Sequence, residues 1–285
     1  MYRIVAKETL VPTIHMMKIE APAVSRKGKA GQFVIVRTHE RGERIPLTIA
    51  DMDAKEGTIT IVFMEVGKST RELAKFNAGD FVQDFVGPLG IPTHIEKLGT
   101  IVCVAGGVGV APIAPIARAF KQAGNKVITI MGARSQNLLF WEDRLKAWSD
   151  ELIVTTDDGT YGRKGVVTIP LKEVLERGEK IDQVVAIGPV VMMKFCCVTT
   201  KPFSVKTIVS LNSIMLDGTG MCGCCRVSAG GQTKFVCVDG PDFDGYIIDW
   251  DLFQARQQIY LDEEKLAVQE WERCGCVNAA QKARA

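Results

Sequence analysis

The feature that most constrains this chain is a glycine-rich loop in which four possible metal ligands recur at short intervals. These ligands are Asp217, Cys222, Cys225 and Cys237, in the spacing D-x4-C-x2-C-x11-C. A short turn can aim several anionic side chains at one pocket, and C-x4-C-x2-C with one distant Cys is an arrangement that holds a [2Fe–2S] cluster. Asp217 stands at the first Cys position. Because a carboxylate oxygen can also ligate iron, the loop predicts a two-iron site with altered electronics.

Two other interpretations of the loop stay open. Three thiols and a carboxylate can hold a structural zinc ion, which favours tetrahedral Cys-rich sites. Cys222 and Cys225 also form a C-x-x-C pair, the spacing of thiol–disulfide catalysts. Zinc sites usually have two short paired arms, whereas the second arm here is the single Cys237, and a redox pair usually opens a helix. The cluster is therefore the favoured prediction, with Cys224 as a spare thiol.

Length and composition limit the class of protein. A chain of 285 residues suits two domains or three small ones. Its net charge of +2 comes from nearly balanced acids and bases, which argues against a nucleic-acid partner. No apolar run reaches the ~18–20 residues of a membrane helix, and the first residues lack the apolar segment of a signal peptide. Nine Cys without an export signal indicate a reducing compartment, so we expect a cytoplasmic protein without a membrane partner.

The pattern of apolar residues divides the chain into four regions. Residues 1–97 carry short β-branched runs between turn residues, which predicts an antiparallel barrel or sandwich. Residues 98–210 alternate buried-strand and helix patterns, which predicts a doubly wound parallel sheet. Residues 211–249 hold the cluster loop, and residues 250–285 are charged and helix-favouring. The predicted fold class is therefore β + α/β: a β-barrel domain, an α/β domain, a small cluster domain and a helical tail.

A second ligand site is predicted where a buried strand at 100–105 gives way to a helix. Gly106, Gly107 and Gly109 follow that strand, and glycines there let backbone N–H groups approach a pyrophosphate. A tight turn without a ligand also favours glycine, and Pro112 stands where the dinucleotide fingerprint has its third glycine. The prediction of a dinucleotide site therefore needs support from elsewhere in the chain.

That support comes from polar turns in the N-terminal region. Residues 44–48 (Arg-Ile-Pro-Leu-Thr) offer a cation, backbone donors and a hydroxyl at a turn entering a strand, which suits an anionic flavin. Residues 67–70 (Gly-Lys-Ser-Thr) begin a helix-like segment and are a second candidate for binding an anion. Val62 stands where a Walker A motif requires glycine, which disfavours ATP. Residues 87–90 (Gly-Pro-Leu-Gly) close the region as a turn.

Taken in order, these motifs resemble those of the ferredoxin-NADP reductase superfamily. The segments 44–48, 67–70, 87–90, 106–112 and 188–189, followed by the cluster loop, extend the resemblance over residues 1–249. Within the superfamily the chain is similar to the branch that holds the electron-transfer subunits of dihydroorotate dehydrogenase. The loop headed by Asp217 looks most like that of the small subunits of NADH-dependent reduced ferredoxin:NADP+ oxidoreductases.

The resemblance implies an NAD(P)H-dependent oxidoreductase subunit with FAD, a [2Fe–2S] cluster and NAD(H), NADP(H) being an open alternative. It implies a heterodimer with a larger subunit that carries a second flavin and [4Fe–4S] clusters, coupling NADH, NADPH and ferredoxin by electron bifurcation. One alternative partner is a dihydroorotate dehydrogenase catalytic subunit, whose family normally has Cys at the position of Asp217. A second alternative, of a different class, is a non-redox nucleotide-binding module whose loop is stabilised by zinc.

The resemblance also assigns flavin residues. Pro46, Leu47 and Thr48 are expected to line FAD. Ile45 occupies the usual position of the motif's arginine, so either Arg44 supplies that cation or the pyrophosphate lies elsewhere. The alternative pyrophosphate position consists of Gly67, Lys68, Ser69 and Thr70, and Gly87 closes the same domain.

The nicotinamide nucleotide is assigned to the ends of the parallel strands. Gly106, Gly107 and Gly109 are expected to face it, with Ala133 and Arg134 near the adenosine ribose. Arg134 either favours a 2′-phosphate or is merely solvated. Asp157, Asp158, Gly188 and Pro189 also lie at predicted strand ends, where open α/β sheets bind ligands. The two carboxylates have turn capping as an equal alternative.

The remaining reactive side chains are not assigned to chemistry. The three histidines, His15, His39 and His94, lack a catalytic context, and no catalytic residue is predicted. Cys103, Cys196 and Cys197 are expected to pack in the interior. Cys274 and Cys276 are either a metal or redox pair or two exposed thiols, and both alternatives stay open.

Overall fold

The computed structural model describes residues 1–273, so Cys274 and Cys276 lie outside the described residues. The first strands are β1 Tyr2–Val11, β2 Ile14–Glu20, β3 Phe33–Arg37, β4 Arg44–Asp53, β5 Thr58–Met64, β6 Phe81–Val82, β7 Asp84–Leu89 and β8 Thr100–Gly106. The later strands are β9 Lys126–Ala133, β10 Glu151–Thr156, β11 Arg163–Lys164, β12 Gln183–Ile187, β13 Lys206–Ser210, β14 Arg226–Ala229, β15 Gln232–Phe235 and β16 Asp242–Asp244.

The helices of the described chain connect or flank these strands. They are α1 Pro22–Ser25, α2 Lys68–Leu73, α3 Val110–Gln122, α4 Glu142–Ala147, α5 Thr168–Glu176, α6 Val190–Thr200, α7 Val236–Asp239, α8 Trp250–Gln257 and α9 Leu261–Arg273. None of the helices within residues 1–273 has the length and apolar character needed to cross a membrane.

The N-terminal strands form one antiparallel sheet in the order β6-β1-β2-β5-β4-β3-β7, which curls into a nearly closed barrel. Alternating apolar side chains such as Ile19, Ile61 and Phe63 fill its interior. Two details differ from the sequence prediction. Strand β4 already begins at Arg44, and strand β7 extends through Gly87 to Leu89, where turns were expected.

The second sheet has the order β11-β10-β9-β8-β12-β13-β16, with parallel pairing except at β16. All seven residues of β8 are buried, as a parallel strand covered by helices on both faces requires. The chain runs outward from β8 to β11 and then returns to β12 on the other side of β8. The carboxyl ends of β8 and β12 therefore form a topological switch point, the usual ligand position in such sheets.

The barrel, the second sheet and the cluster region share interior side chains. Ile14 and Val62 of the barrel belong to the same apolar cluster as α3, and Ile35 belongs to one that includes Cys225 and Cys237. An ion pair between Arg118 of α3 and Asp51 of β4 (2.9 Å) also joins the barrel to the second sheet. Cys103, Cys196 and Cys197 are buried, as expected from the sequence.

Candidate functional site

Two of the four predicted ligands lie in the interior at the base of a β-hairpin. Strands β14 and β15 pair Arg226 with Phe235, so the residues just outside that pair approach each other. The backbone N–H of Val236 donates to the carbonyl of Cys225 (3.1 Å), and the sulfurs of Cys225 and Cys237 lie 3.3 Å apart. That separation is too long for a disulfide, in which sulfurs are about 2.05 Å apart. Burial raises the pKa of the Cys237 thiol to about 12.

The other two predicted ligands lie nearer the surface. The Asp217 carboxylate accepts hydrogen bonds from the backbone N–H groups of Thr219 (2.6 Å) and Cys222 (2.7 Å). The Thr219 hydrogen bond, with that of Cys222, lowers the pKa of Asp217. Cys222 is exposed. A carboxylate has about four lone-pair positions, so Asp217 can hold the loop together and still offer oxygen to a metal.

The loop between Asp217 and Cys222 follows the surface of the flavin-type barrel. Gly218 has a φ of +76°, and a Cβ there would lie 2.8 Å from Leu89 and 2.9 Å from Ile35. Glycine is needed both for the left-handed backbone and for this close approach. Ile35 is in turn the register partner of Pro46 in strand β4. The cluster loop and the predicted flavin motif are therefore separated by a single strand.

The four predicted ligands lie in two pairs. Within residues 1–273, no three His, Cys, Asp or Glu side chains are grouped so as to hold a single metal ion. A structural zinc site needs four such groups around one point. A [2Fe–2S] cluster instead spreads its ligands in pairs over two irons. Cys225 with Cys237 and Asp217 with Cys222 supply such pairs, one buried and one near the surface.

The predicted flavin motif lies on an accessible edge of the barrel. Pro46, Leu47 and Thr48 in β4 are half-buried, and Arg44 is exposed. The Gly87–Leu89 end of β7 pairs with β3, and β4 pairs with the other edge of β3. A flavin ring can therefore contact the backbone and side chains of 46–48 without displacing core residues.

The second predicted anion site holds an acidic side chain that the sequence analysis missed. The Ser69 hydroxyl donates to the Glu43 carboxylate, and the Lys68 ammonium lies 3.9 Å from it. Thr70 Oγ1 accepts from the backbone N–H of Gly67 (3.2 Å) and so caps the start of α2. A pyrophosphate at this position would compete with Glu43. Nothing in the local sequence shows that the β3–β4 loop folds onto α2.

The glycines predicted for nucleotide binding meet at the switch point. A Cβ on Gly188, which follows β12, would lie 3.1 Å from the Cα of Gly106 at the end of β8. A Cβ on Gly109 would collide with the carbonyl of Ile187, whereas Gly107 (φ +54°) faces open space. Pro189 precedes α6, whose Met192 side chain covers the two strand ends. No sequence motif indicates Met192.

The other predicted nucleotide residues lie along the same edge of the sheet. The backbone N–H of Asp157 donates to the carbonyl of Ala133 (3.0 Å), and that of Asp158 to Arg134 (3.2 Å). Asp158 also accepts from the Thr160 hydroxyl (2.7 Å), a hydrogen bond that lowers its pKa. Asp158 thus caps a turn, one of its two predicted roles. Arg134 is exposed.

Comparison with known proteins assigns both ligand regions to families. Residues 212–249 match the iron-sulfur cluster binding domain of dihydroorotate dehydrogenase B, and residues 103–198 match the oxidoreductase NAD-binding domain. A Thermotoga maritima protein named dihydroorotate dehydrogenase B (NAD(+)), electron transfer subunit homolog, is 48% identical over 264 residues, covering 93% of each chain. The chain belongs to the family of dihydroorotate dehydrogenase B electron transfer subunits and their homologues.

Two further relatives of this electron transfer family are similar over almost the whole chain. A Clostridium beijerinckii protein, named only for its place in the adh 3′ region, is 49% identical over 97% of this chain and 99% of its own. The solved structure of an NADH-dependent reduced ferredoxin-NADP oxidoreductase, reported for flavin-based electron bifurcation, contains a chain that is 46% identical. It covers 95% of this chain and 98% of that one, with a TM-score of 0.90.

The family assignment confirms several predictions from the sequence. The protein is an oxidoreductase subunit of the ferredoxin-NADP reductase type, and its role is electron transfer with an iron–sulfur cluster, NAD and FAD as cofactors. The relatives named for dihydroorotate dehydrogenase B are electron transfer subunits or their homologues. The zinc-stabilised, non-redox alternative is not supported. The residue assignments within each site and the four domain boundaries stay predictions.

Proposed function

We propose that this chain takes electrons from NADH at FAD and passes them singly through a [2Fe–2S] cluster to a larger subunit. The observation that carries the proposal is the contact of the cluster loop with the barrel. Gly218, beside the ligand Asp217, packs on Ile35 and Leu89, and Ile35 pairs with Pro46 of the flavin motif. One strand thus separates the two proposed redox sites, which suits transfer of single electrons.

The cofactors supply the redox chemistry: FAD exchanges two electrons with a nicotinamide and one at a time with an iron–sulfur cluster. The chain's own residues bind and orient these groups. Gly106, Gly109 and Gly188 let the ends of β8 and β12 and the start of α3 approach one another at the switch point, and Gly107, which faces open space, would face the nucleotide. Pro46, Leu47 and Thr48 line the flavin. Asp217, Cys222, Cys225 and Cys237 would hold the cluster.

Glu43 provides a test of where the flavin phosphates lie. If the phosphates bind beside Lys68 and Ser69, the negative charge of the Glu43 carboxylate repels them. The carboxylate also occupies the Ser69 hydroxyl and the Lys68 ammonium that the phosphates would need. Glu43→Gln is then expected to bind FAD more tightly, measured by fluorescence titration of flavin-depleted protein. Glu40→Gln, on the same loop, is the control. Equal FAD affinity in Glu43→Gln and wild type would place the pyrophosphate elsewhere, beside Arg44.

The larger subunit is proposed to dock around Asp217 and Cys222, the pair of predicted ligands that lies nearer the surface. Leu216, Met221 and Val238 are exposed apolar residues (49%, 89% and 41%) on either side of Cys222 in the sequence. An apolar rim of this kind around an exposed ligand suits a protein partner that receives electrons. We propose that this partner carries a second flavin and [4Fe–4S] clusters and couples NADH, NADPH and ferredoxin by bifurcation in the cytoplasm. The 46% identity to the solved oxidoreductase supports this choice.

A dihydroorotate dehydrogenase catalytic subunit is the second candidate partner, favoured by the match of residues 212–249. Anaerobic purification of the native complex tests both. The expected result is a larger subunit with its own flavin and iron, and flavin absorption near ~450 nm bleached by NADH. Co-purification of a dihydroorotate-oxidising subunit would replace the first candidate. Protein without flavin, acid-labile sulfide or an EPR signal after dithionite would refute the electron-transfer proposal. Titration with NADPH in parallel decides between the two nucleotides.

A further inference from the structure

Helix α8 holds the cluster loop at Cys224 and the segment before the loop at Asn212, although it lies outside the loop in sequence. Arg256 donates from Nη2 to the carbonyl of Cys224 (3.2 Å). Gln257 donates from Nε2 to the carbonyl of Asn212 (2.7 Å). Asn212 precedes Asp217, and Cys224 lies between Cys222 and Cys225. Two adjacent residues at the end of α8 therefore hold a segment before the first ligand and the segment between Cys222 and Cys225.

The helix that carries these two residues is itself firmly anchored. Phe253 is 2% exposed and belongs to the apolar cluster that includes Cys225 and Cys237. The indole of Trp250 donates to the carbonyl of Gly245 (3.0 Å). The Asp249 carboxylate caps the helix by accepting from the backbone N–H of Leu252 (3.0 Å). Because α8 cannot shift without exposing Phe253, the position of Arg256 is fixed by the core.

Arg256 also brings a permanent positive charge to the loop. A guanidinium stays protonated in proteins, and reduction adds one negative charge to a cluster, so a nearby cation stabilises the reduced form. Net charge and hydrogen bonds around a cluster are among the features that set its potential. Arg226 donates to the carbonyl of Gly223 (3.3 Å), but its side chain is exposed and more strongly screened by water.

We infer that Arg256 is a positioning residue of the cluster site, which fixes the segment between Cys222 and Cys225 and raises the reduction potential of the cluster bound there. The inference rests on the proposed function, because it concerns the cluster which that function requires. A residue that only packs would alter how long the cluster is retained and leave the potential unchanged. Gln257, which is uncharged, is the natural comparison.

The test uses full-length protein with its cluster, and measures EPR-monitored reduction potential and the rate of iron release to a chelator. The expected change in Arg256→Gln is about tenfold in the one-electron equilibrium, or about 59 mV lower, with faster iron release. Arg256→Lys keeps the charge, so its potential stays near that of the wild type while iron release is faster. Gln257→Ala speeds iron release alone. Arg177→Gln, which removes a positive charge at the C-cap of α5, is the control. It is expected to change neither the reduction potential nor the rate of iron release.

Each outcome decides the inference. A loaded Arg256→Gln protein with the wild-type potential would overturn it and leave the proposed function intact. If Arg256→Gln does not retain a cluster, Arg256→Lys decides: faster iron release supports the positioning role, and wild-type release refutes it. Wild-type protein without any cluster would refute the proposed function first, and this inference with it.

Discussion

The two halves of the cluster loop are built in different ways. Cys225 and Cys237 are 1% and 2% exposed and are set by a hairpin with paired backbone hydrogen bonds. Asp217 and Cys222 lie on a glycine-rich turn held by the Asp217 carboxylate itself. The buried half is fixed by the core, whereas the exposed half is fixed by side chains that can change without disturbing the fold. We expect the buried half to decide whether a cluster binds, and the exposed half to tune its electronics.

The largest effect is therefore expected in the buried half. Cys225→Ala removes a ligand whose place no water can easily take, because the site is enclosed by core residues, and we expect loss of the cluster. Cys222→Ala removes an exposed ligand that water or Cys224 can replace, so partial loading is expected. Iron and acid-labile sulfide per chain, measured after anaerobic reconstitution, distinguish the two variants.

The control for this pair is Cys103→Ala, which removes a buried thiol of strand β8 far from the loop and is expected to retain full loading. Thermal unfolding of each apo variant separates loss of the ligand from loss of the fold. Equal loading of Cys225→Ala and Cys222→Ala, with both folded, would show that burial does not distinguish the halves.

A smaller effect is expected from the exposed half. A carboxylate donates less charge to iron than a thiolate does, so Asp217 is expected to raise the potential above the about −400 mV of an all-Cys plant-type cluster. Asp217→Cys should therefore lower the potential while the cluster remains bound, as measured by EPR-monitored titration. Asp217→Glu, which retains the carboxylate, is the matched control. A potential in Asp217→Cys equal to or above that of the wild type would contradict the prediction.

The sequence was sufficient for the parts of the site whose spacing is local. The predicted ligands Asp217, Cys222 and Cys225 lie within one loop, and the glycines at 106–109 lie within one strand–helix connection, so their proposed roles rest on chemistry and local spacing. Cys237 was also predictable, because a short hairpin returns the chain to Cys225. The alternation of buried strands and helices likewise predicted the parallel sheet, whereas its strand order and switch point came from the structure.

The residues that the sequence did not indicate act across long separations. Glu43 reaches Ser69 because the β3–β4 loop folds over α2, and Arg256 reaches Cys224 because Phe253 anchors α8 in the core. Neither residue stands in a motif, and charged residues on loops and helices are normally solvated. Strand β16 also joins the second sheet beside β13 from within the cluster region, which no local pattern of Asp242–Asp244 predicts. Tertiary packing alone determines these contacts.

The smallest expected effect is on the pH dependence of stability. It is tested by comparing two aspartates that lie in opposite environments. Burial raises the pKa of Asp242, although Thr93 donates a hydrogen bond to it (2.6 Å), so the folded protein binds this proton more tightly than the unfolded chain does. Its contribution to stability is therefore greatest below the unfolded pKa of about 3.9 and is lost as pH rises through the higher folded pKa. Asp242→Asn removes that dependence. The urea midpoint of the variant should therefore rise relative to that of the wild type as pH rises from 4 to neutrality. A hydrogen bond from Thr160 lowers the pKa of Asp158, so Asp158→Asn should lose stability relative to the wild type as pH rises from 4 to about 5 and differ from it by a constant amount above that. An Asp242→Asn curve parallel to that of the wild type over the whole range would show that burial of Asp242 has no energetic consequence.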